Sequence, residues 1–159
     1  MIRKTNGRLT VCCAMLGLLL AFIWGNSLLP GHISGAFSDW VRKILRQLLP
    51  FLFKNASDSA GGGLLRKIAH FTEFAALGAC FCWLYAMLMT KQYRPILCAA
   101  AAGVLAACVD ETIQRFVPDR YGCLTDVGID TAGVSTGIVL FILAYHMIMR
   151  KQIKLEEMK

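Results

Sequence analysis

Apolar residues along this chain gather into four long runs, at residues 9–29, 68–90, 95–113 and 127–149. Each reaches or approaches the roughly 20 residues that a helix needs to cross the hydrocarbon layer. The third is the shortest, and it spans only when it continues through residues 110–113 at the interface. Small residues fill its middle (Ala99, Gly103, Ala106 and Ala107), which suits close helix contact better than lipid contact. Between the first and second runs, over residues 36–54, Phe37, Trp40, Val41, Ile44, Leu45, Leu48 and Leu52 recur at helical spacing. Asp39, Arg42, Lys43, Arg46 and Gln47 fill the opposite side. That pattern predicts an amphipathic helix lying in the headgroup plane and interrupted at Pro50, with a partner-groove helix as the alternative. Residues 56–63, ASDSAGGG, predict a flexible connector. The expected fold is all-α: a single-domain integral membrane bundle of four transmembrane helices plus one interfacial amphipathic helix.

Composition agrees, since 57% of the 159 residues are apolar and the charges fall in short intervals. In a soluble protein the net charge of +7 would direct attention to nucleic acid. Here it reads as topology signal and contact with membrane lipid headgroups, with no nucleic-acid partner. With the N-terminus inside, nine of the 17 Lys and Arg fall on the inner side and eight on the outer, so totals decide nothing. Placement decides: both tails and the tight turn from Lys91 to Arg94 are basic directly beside their spans, which predicts that both termini are cytoplasmic. The first run follows a basic segment, but it is longer than a signal-peptide core. Its Trp24-Gly25-Asn26-Ser27 exit lacks a small-x-small cleavage site, so a retained anchor is expected. Six of the seven cysteines lie inside spans and no CxxC occurs, so packing thiols are predicted and a disulfide framework is not.

The candidate chemistry lies where the spans end. Lys67, His70 and Glu73 open the second run, Asp110, Glu111 and Gln114 close the third, and Asp126 and Asp130 open the fourth, with Arg120 in the connection between. Alternating spans carry all of these to one side of the bilayer, whichever way the protein is inserted. Ionisable groups at membrane depth are costly unless paired, hydrated or used, so the group reads as a site; a helix-packing polar network is the bland alternative. Five carboxylates close together require positive charge beside them or protonation of some. Arg66, Lys67, Arg115 and Arg120 could supply the charge, as could a divalent ion. An oxygen-rich set with one histidine fits Mg, Mn or Ca, or zinc with one His and carboxylates. The HxxE and DE patterns are weak as metal motifs. Anion recognition is the rival use: Arg120, or Arg66 with Lys67, would grip phosphate or carboxylate groups of a lipid-linked or peptide envelope component. Alternatively, Arg120 pairs with Asp126 as an ordinary loop contact. Gly133 and Gly137 form a GxxxG contact face.

On these residues the chain resembles the VanZ-like family of small membrane proteins. The match rests on Arg66-Lys67-x-x-His70-x-x-Glu73-Phe74 and on Asp110-Glu111-x-x-Gln114-x-Phe116-x-Pro118-x-Arg120-x-Gly122-x-x-x-Asp126, continuing to Gly133 and Gly137. The first-span exit at residues 22–27 matches more loosely. Two positions depart from the pattern: Asp130 stands where Asn is usual, and Cys123 where a small hydroxyl residue is expected. The resemblance implies a multi-span protein of the bacterial, Gram-positive envelope, in a family whose named member is linked to reduced susceptibility to glycopeptides, teicoplanin in particular. It supplies no reaction. The expected roles are His70 with Glu73 as an acid-base or ligand pair, Asp110, Glu111 and Asp126 as supporting carboxylates, and Lys67, Gln114, Arg120 and Asp130 as ligand contacts.

Overall fold

The computed structural model describes residues 2–48, 58–89 and 93–157. Five helices account for nearly all of them: α1 (Ile2–Ser27), α2 (Gly31–Leu48), α3 (Asp58–Leu88), α4 (Arg94–Arg115) and α5 (Leu124–Glu157). Four contain segments long and apolar enough to span a membrane, namely Gly7–Ser27, Gly63–Leu88, Arg94–Arg115 and Leu124–Glu156. The protein is therefore a multi-pass membrane bundle of the expected class. α2 is the polar exception: Val41 and Ile44 are half-buried while Asp39, Lys43 and Gln47 are exposed. The side chains of Phe37, Arg42, Leu45, Arg46 and Leu48, and all of Pro50, Leu52, Lys54, Lys91 and Lys159, lie outside the described residues.

Two boundaries differ from the expected ones. α3 begins at Asp58, so residues 58–63 of the expected connector are helical. Each glycine in a helix costs about 1 kcal/mol relative to alanine. Extending an existing helix backwards adds one hydrogen bond per residue with no new nucleus to form. α2 begins at Gly31, ahead of residue 36, because the Pro30 carbonyl accepts from the amides of Ile33 and Ser34 at 3.0 and 3.1 Å.

α3 is the centre of the bundle and touches every other helix. Water is absent from the bilayer interior, so burying apolar area drives this association little. Close backbone approach and satisfied polar groups carry it instead. On α5, a Cβ at Gly133 would run into the Phe71 carbonyl, and one at Gly137 into the Ala75 carbonyl. A Cβ at Gly78 on α3 would strike the Val134 backbone in turn. Phe74 and Leu77 fill the space left at the crossing against Val134 and Ile138, and Ala99, Ala106 and Ala107 admit α4. α1 packs through Cys12, Leu16 and Ile23, and Trp24 Nε1 donates to the Ala106 carbonyl at 3.5 Å. Leu18, Leu105, Leu140 and Met147 point outward, as lipid-facing side chains should.

The 116–123 connection folds back over the ends of the helices. Asp119 takes a positive φ of 60°, which aspartate tolerates better than most residues. The Gly31 amide donates to the Pro118 carbonyl at 3.1 Å, and His32 Nδ1 lies 3.3 Å from Asp119 Oδ2. A side chain at Gly31 would collide with the Asp119 backbone, so only glycine lets α2 dock there.

Candidate functional site

The connection and the start of α2 close over one end of the bundle, where the N-termini of α3 and α5 meet the C-termini of α1 and α4. Helical geometry then sets the depth of each polar residue. Arg66, Lys67, His70 and Glu73 descend α3 by about 10 Å at 1.5 Å per residue. Asp126 and Asp130 descend α5 by about one turn, and Gln114, Glu111 and Asp110 do the same on α4. Six of these residues line a shared cavity of about 110 Å³, Arg66, Lys67 and His70 from α3, Glu111 from α4 and Asp126 and Asp130 from α5, together with Gly63 and Ile129; Glu73, Asp110 and Gln114 lie outside its lining. Several waters, a single ion or a phosphate-sized group would fit such a space.

At the floor, His70 Nδ1 lies 3.8 Å from Asp110 Oδ2 and 3.8 Å from Asp130 Oδ1. The His70 side chain is 15% exposed and the two aspartates 0% and 1%, so this contact is screened from solvent. One ligand atom from each of the three residues falls within 4.8 Å of the others, a grouping that could hold a metal ion. Glu73 is half-buried and stands within electrostatic range of both Asp110 and Asp130.

Beside this floor lies a buried hydrogen-bonded hub. Gln114 is fully buried, and its side-chain oxygen accepts from Arg66 Nη2. The two hydrogens of its Nε2 serve Asp110 Oδ2 at 2.8 Å and Glu111 Oε1 at 3.2 Å, and Ser27 Oγ lies 3.4 Å from the same nitrogen. One amide thus joins α1, α3 and α4 and orients two carboxylates. Glu111 Oε2 in turn accepts from the Cys123 amide at 2.8 Å, which fastens the connection to α4.

Arg120 is 6% exposed and does not line the cavity. Its Nη2 donates to the Asn26 carbonyl at 2.9 Å at the end of α1. No Arg120–Asp126 ion pair forms among the described residues. Burial lowers the Arg120 pKa, as does Arg66 nearby, yet a guanidinium stays protonated at any physiological pH. Its charge therefore remains fixed above Asp110 and Glu111. Lys67 is exposed and Arg66 half-buried at the cavity mouth, so these two cations face any entering group.

The bundle thus collects His70, Glu73, Asp110, Glu111, Gln114, Asp126 and Asp130 at one place, with Lys67 at its mouth and Arg120 above it. Two participants carry no chemical signal in the sequence: Ser27, a buried hydroxyl in the hub, and Asn26, which contributes only its backbone carbonyl. Both lie in the first-span exit, and the looser family match there is the one hint of them. A family model described as VanZ/LLP1 matches residues 9–145, nearly the whole chain. No curated protein matches, and no solved structure does.

Proposed function

The chain belongs to the VanZ/LLP1 family, and from that premise we propose that it is a bacterial cell-envelope protein whose rim cavity binds the phosphate-bearing headgroup of an envelope lipid or lipid-linked component. The observation that carries this reading is the charge order of the cavity. Exposed Lys67 and half-buried Arg66, the latter held by the Gln114 side-chain oxygen, line the cavity together with the carboxylates of Glu111, Asp126 and Asp130, within reach of a headgroup. On this reading the cavity faces the outside and both termini are cytoplasmic, consistent with the basic residues beside the spans. Lowered susceptibility to glycopeptides such as teicoplanin would follow from sequestering or altering the envelope component. The cavity's size favours a headgroup over the antibiotic itself, since a space of about 110 Å³ cannot enclose a whole glycopeptide. His70 and Glu73 would serve any proton transfer, with Asp110, Glu111 and Asp126 supporting them.

Lys67 is exposed and outside the buried hub, so reversing its charge tests the reading without disturbing the fold. In lipid nanodiscs the wild type should bind lipids bearing phosphate monoester or pyrophosphate groups over neutral ones, with affinity falling as salt rises. Lys67→Glu should weaken that binding at least tenfold. Equal binding of neutral lipids, or an unchanged Lys67→Glu, removes the headgroup site.

The Gln114 hub favours a second, non-catalytic reading, in which the polar residues lock short helices into a scaffold for a partner. Under it, substitutions at Glu73 or Asp110 lower protein level in step with function. Under the first reading, activity falls while the folded protein remains.

A further inference from the structure

We propose that His70, Asp110 and Asp130 form a binding site for one divalent cation of the zinc or manganese class. Each ligand comes from a different helix, α3, α4 and α5, at the point where the small-residue crossings bring those helices together. Five buried side-chain polar atoms among the described residues lack a hydrogen-bond partner. Four of them sit here: His70 Nδ1, Asp110 Oδ1 and both oxygens of Asp130. A bare buried polar atom costs about 1–3 kcal/mol, more when charged, so four on one cluster of three side chains call for a common partner.

Hydrogen bonding within the trio cannot provide it. At 3.8 Å, His70 Nδ1 is beyond hydrogen-bond length from either aspartate. Were the gap to close, one N–H would still face two carboxylates, and an oxygen of Asp130 would stay bare. A cation has no such limit. Two aspartates and a neutral imidazole carry a charge of minus two, which a divalent ion balances. Ligands at about 2.0–2.2 Å from a metal lie about 3.0–3.6 Å from each other, and one donor atom from each of the three residues already lies within 4.8 Å of the other two, so a contraction of up to about an ångström seats the ion.

Donor chemistry sets the class. One imidazole nitrogen with two carboxylates suits zinc or manganese, whereas calcium and magnesium favour all-oxygen sets with more ligands. The support expected around metal ligands is also present. Gln114 holds Asp110 Oδ2 at 2.8 Å, leaving Oδ1 to turn towards the ion. The cavity lined by His70 and Asp130 is the entry path and leaves room for water to complete the coordination. This site does not depend on which envelope group occupies the mouth, and its metal content is read with no such ligand present.

The test uses the full chain, purified without chelators, stripped, and titrated in detergent with zinc and with manganese. About one equivalent of one of these ions should bind with preference over magnesium and calcium and raise the melting temperature. Asp130→Asn, close to isosteric, and His70→Gln should each weaken binding at least tenfold. His32→Ala, which removes the exposed His32–Asp119 pair, should leave it unchanged. The absence of stoichiometric zinc or manganese binding overturns the proposal, as does full binding by both Asp130→Asn and His70→Gln or loss of binding in His32→Ala. If neither floor variant folds, wild-type stoichiometry and the ion-specific melting shift decide.

Discussion

Gln114 shows how much of this site rests on a single uncharged side chain. Replacing it by leucine, of similar volume, removes the acceptor for Arg66, the donor for Asp110 and Glu111 and the polar neighbour of Ser27 at once. Each stranded group costs about 1–3 kcal/mol in a water-soluble interior, but polar contacts in membrane bundles average nearer 0.6 kcal/mol because the unfolded state in lipid finds partners too. Gln114→Leu should therefore lower stability in detergent by about 1–3 kcal/mol in all, read from reversible denaturation. A double-mutant cycle with Arg66→Ala should give a coupling above about 0.5 kcal/mol. A smaller coupling would mean that the two side chains act independently. At this scale, charge and spacing were legible: His70, Asp110 and Asp130 could be grouped from their positions in three spans. Ser27 and Asn26 could not be, since a hydroxyl and a backbone carbonyl at a helix end mean nothing until a donor arrives from a distant part of the chain.

Between elements, the close crossing of α3 and α5 sets the distance between His70 and Asp130, so the site is as precise as the glycine contacts beneath it. Gly137 lies about two turns below Asp130 on the same side of α5, against the Ala75 carbonyl. Gly137→Leu should push the helices apart, lowering the melting temperature or the folded yield and opening the His70–Asp130 contact. Gly128 has nothing within 4 Å of where its Cβ would stand. Gly128→Ala should therefore be neutral or stabilise by up to about 1 kcal/mol, as alanine does in a helix. Comparable damage from both would show that helix propensity, not contact, governs these positions. The GxxxG spacing made this crossing readable in advance. The start of α3 was not readable, because local glycine signals say connector while the long apolar helix beyond them extends backwards regardless.

At the scale of the whole molecule, the gathering of polar residues at one end follows from alternating spans alone, but the side of the membrane they face does not. Cys123 can report that side. It lies in the 116–123 connection, is exposed, and is the one cysteine outside the spanning segments; the exposed Cys13 and Cys108 sit within spans facing lipid. Its thiol pKa is lowered, first by its hydrogen bond with the Thr125 hydroxyl and then by nearby backbone amides. A lower pKa means more thiolate at neutral pH, and thiolate is the form that reacts. A membrane-impermeant maleimide should thus label intact cells at Cys123, and Cys123→Ser should abolish the signal. Thr125→Val should slow labelling at neutral pH and move its rise to higher pH, by withdrawing the bond that favours the thiolate. Labelling only after permeabilisation would place the cavity on the cytoplasmic face. The cluster would then survive intact, but its ligand would have to be an inner-leaflet or cytoplasmic anion, and a role against externally added glycopeptides would lose its physical route.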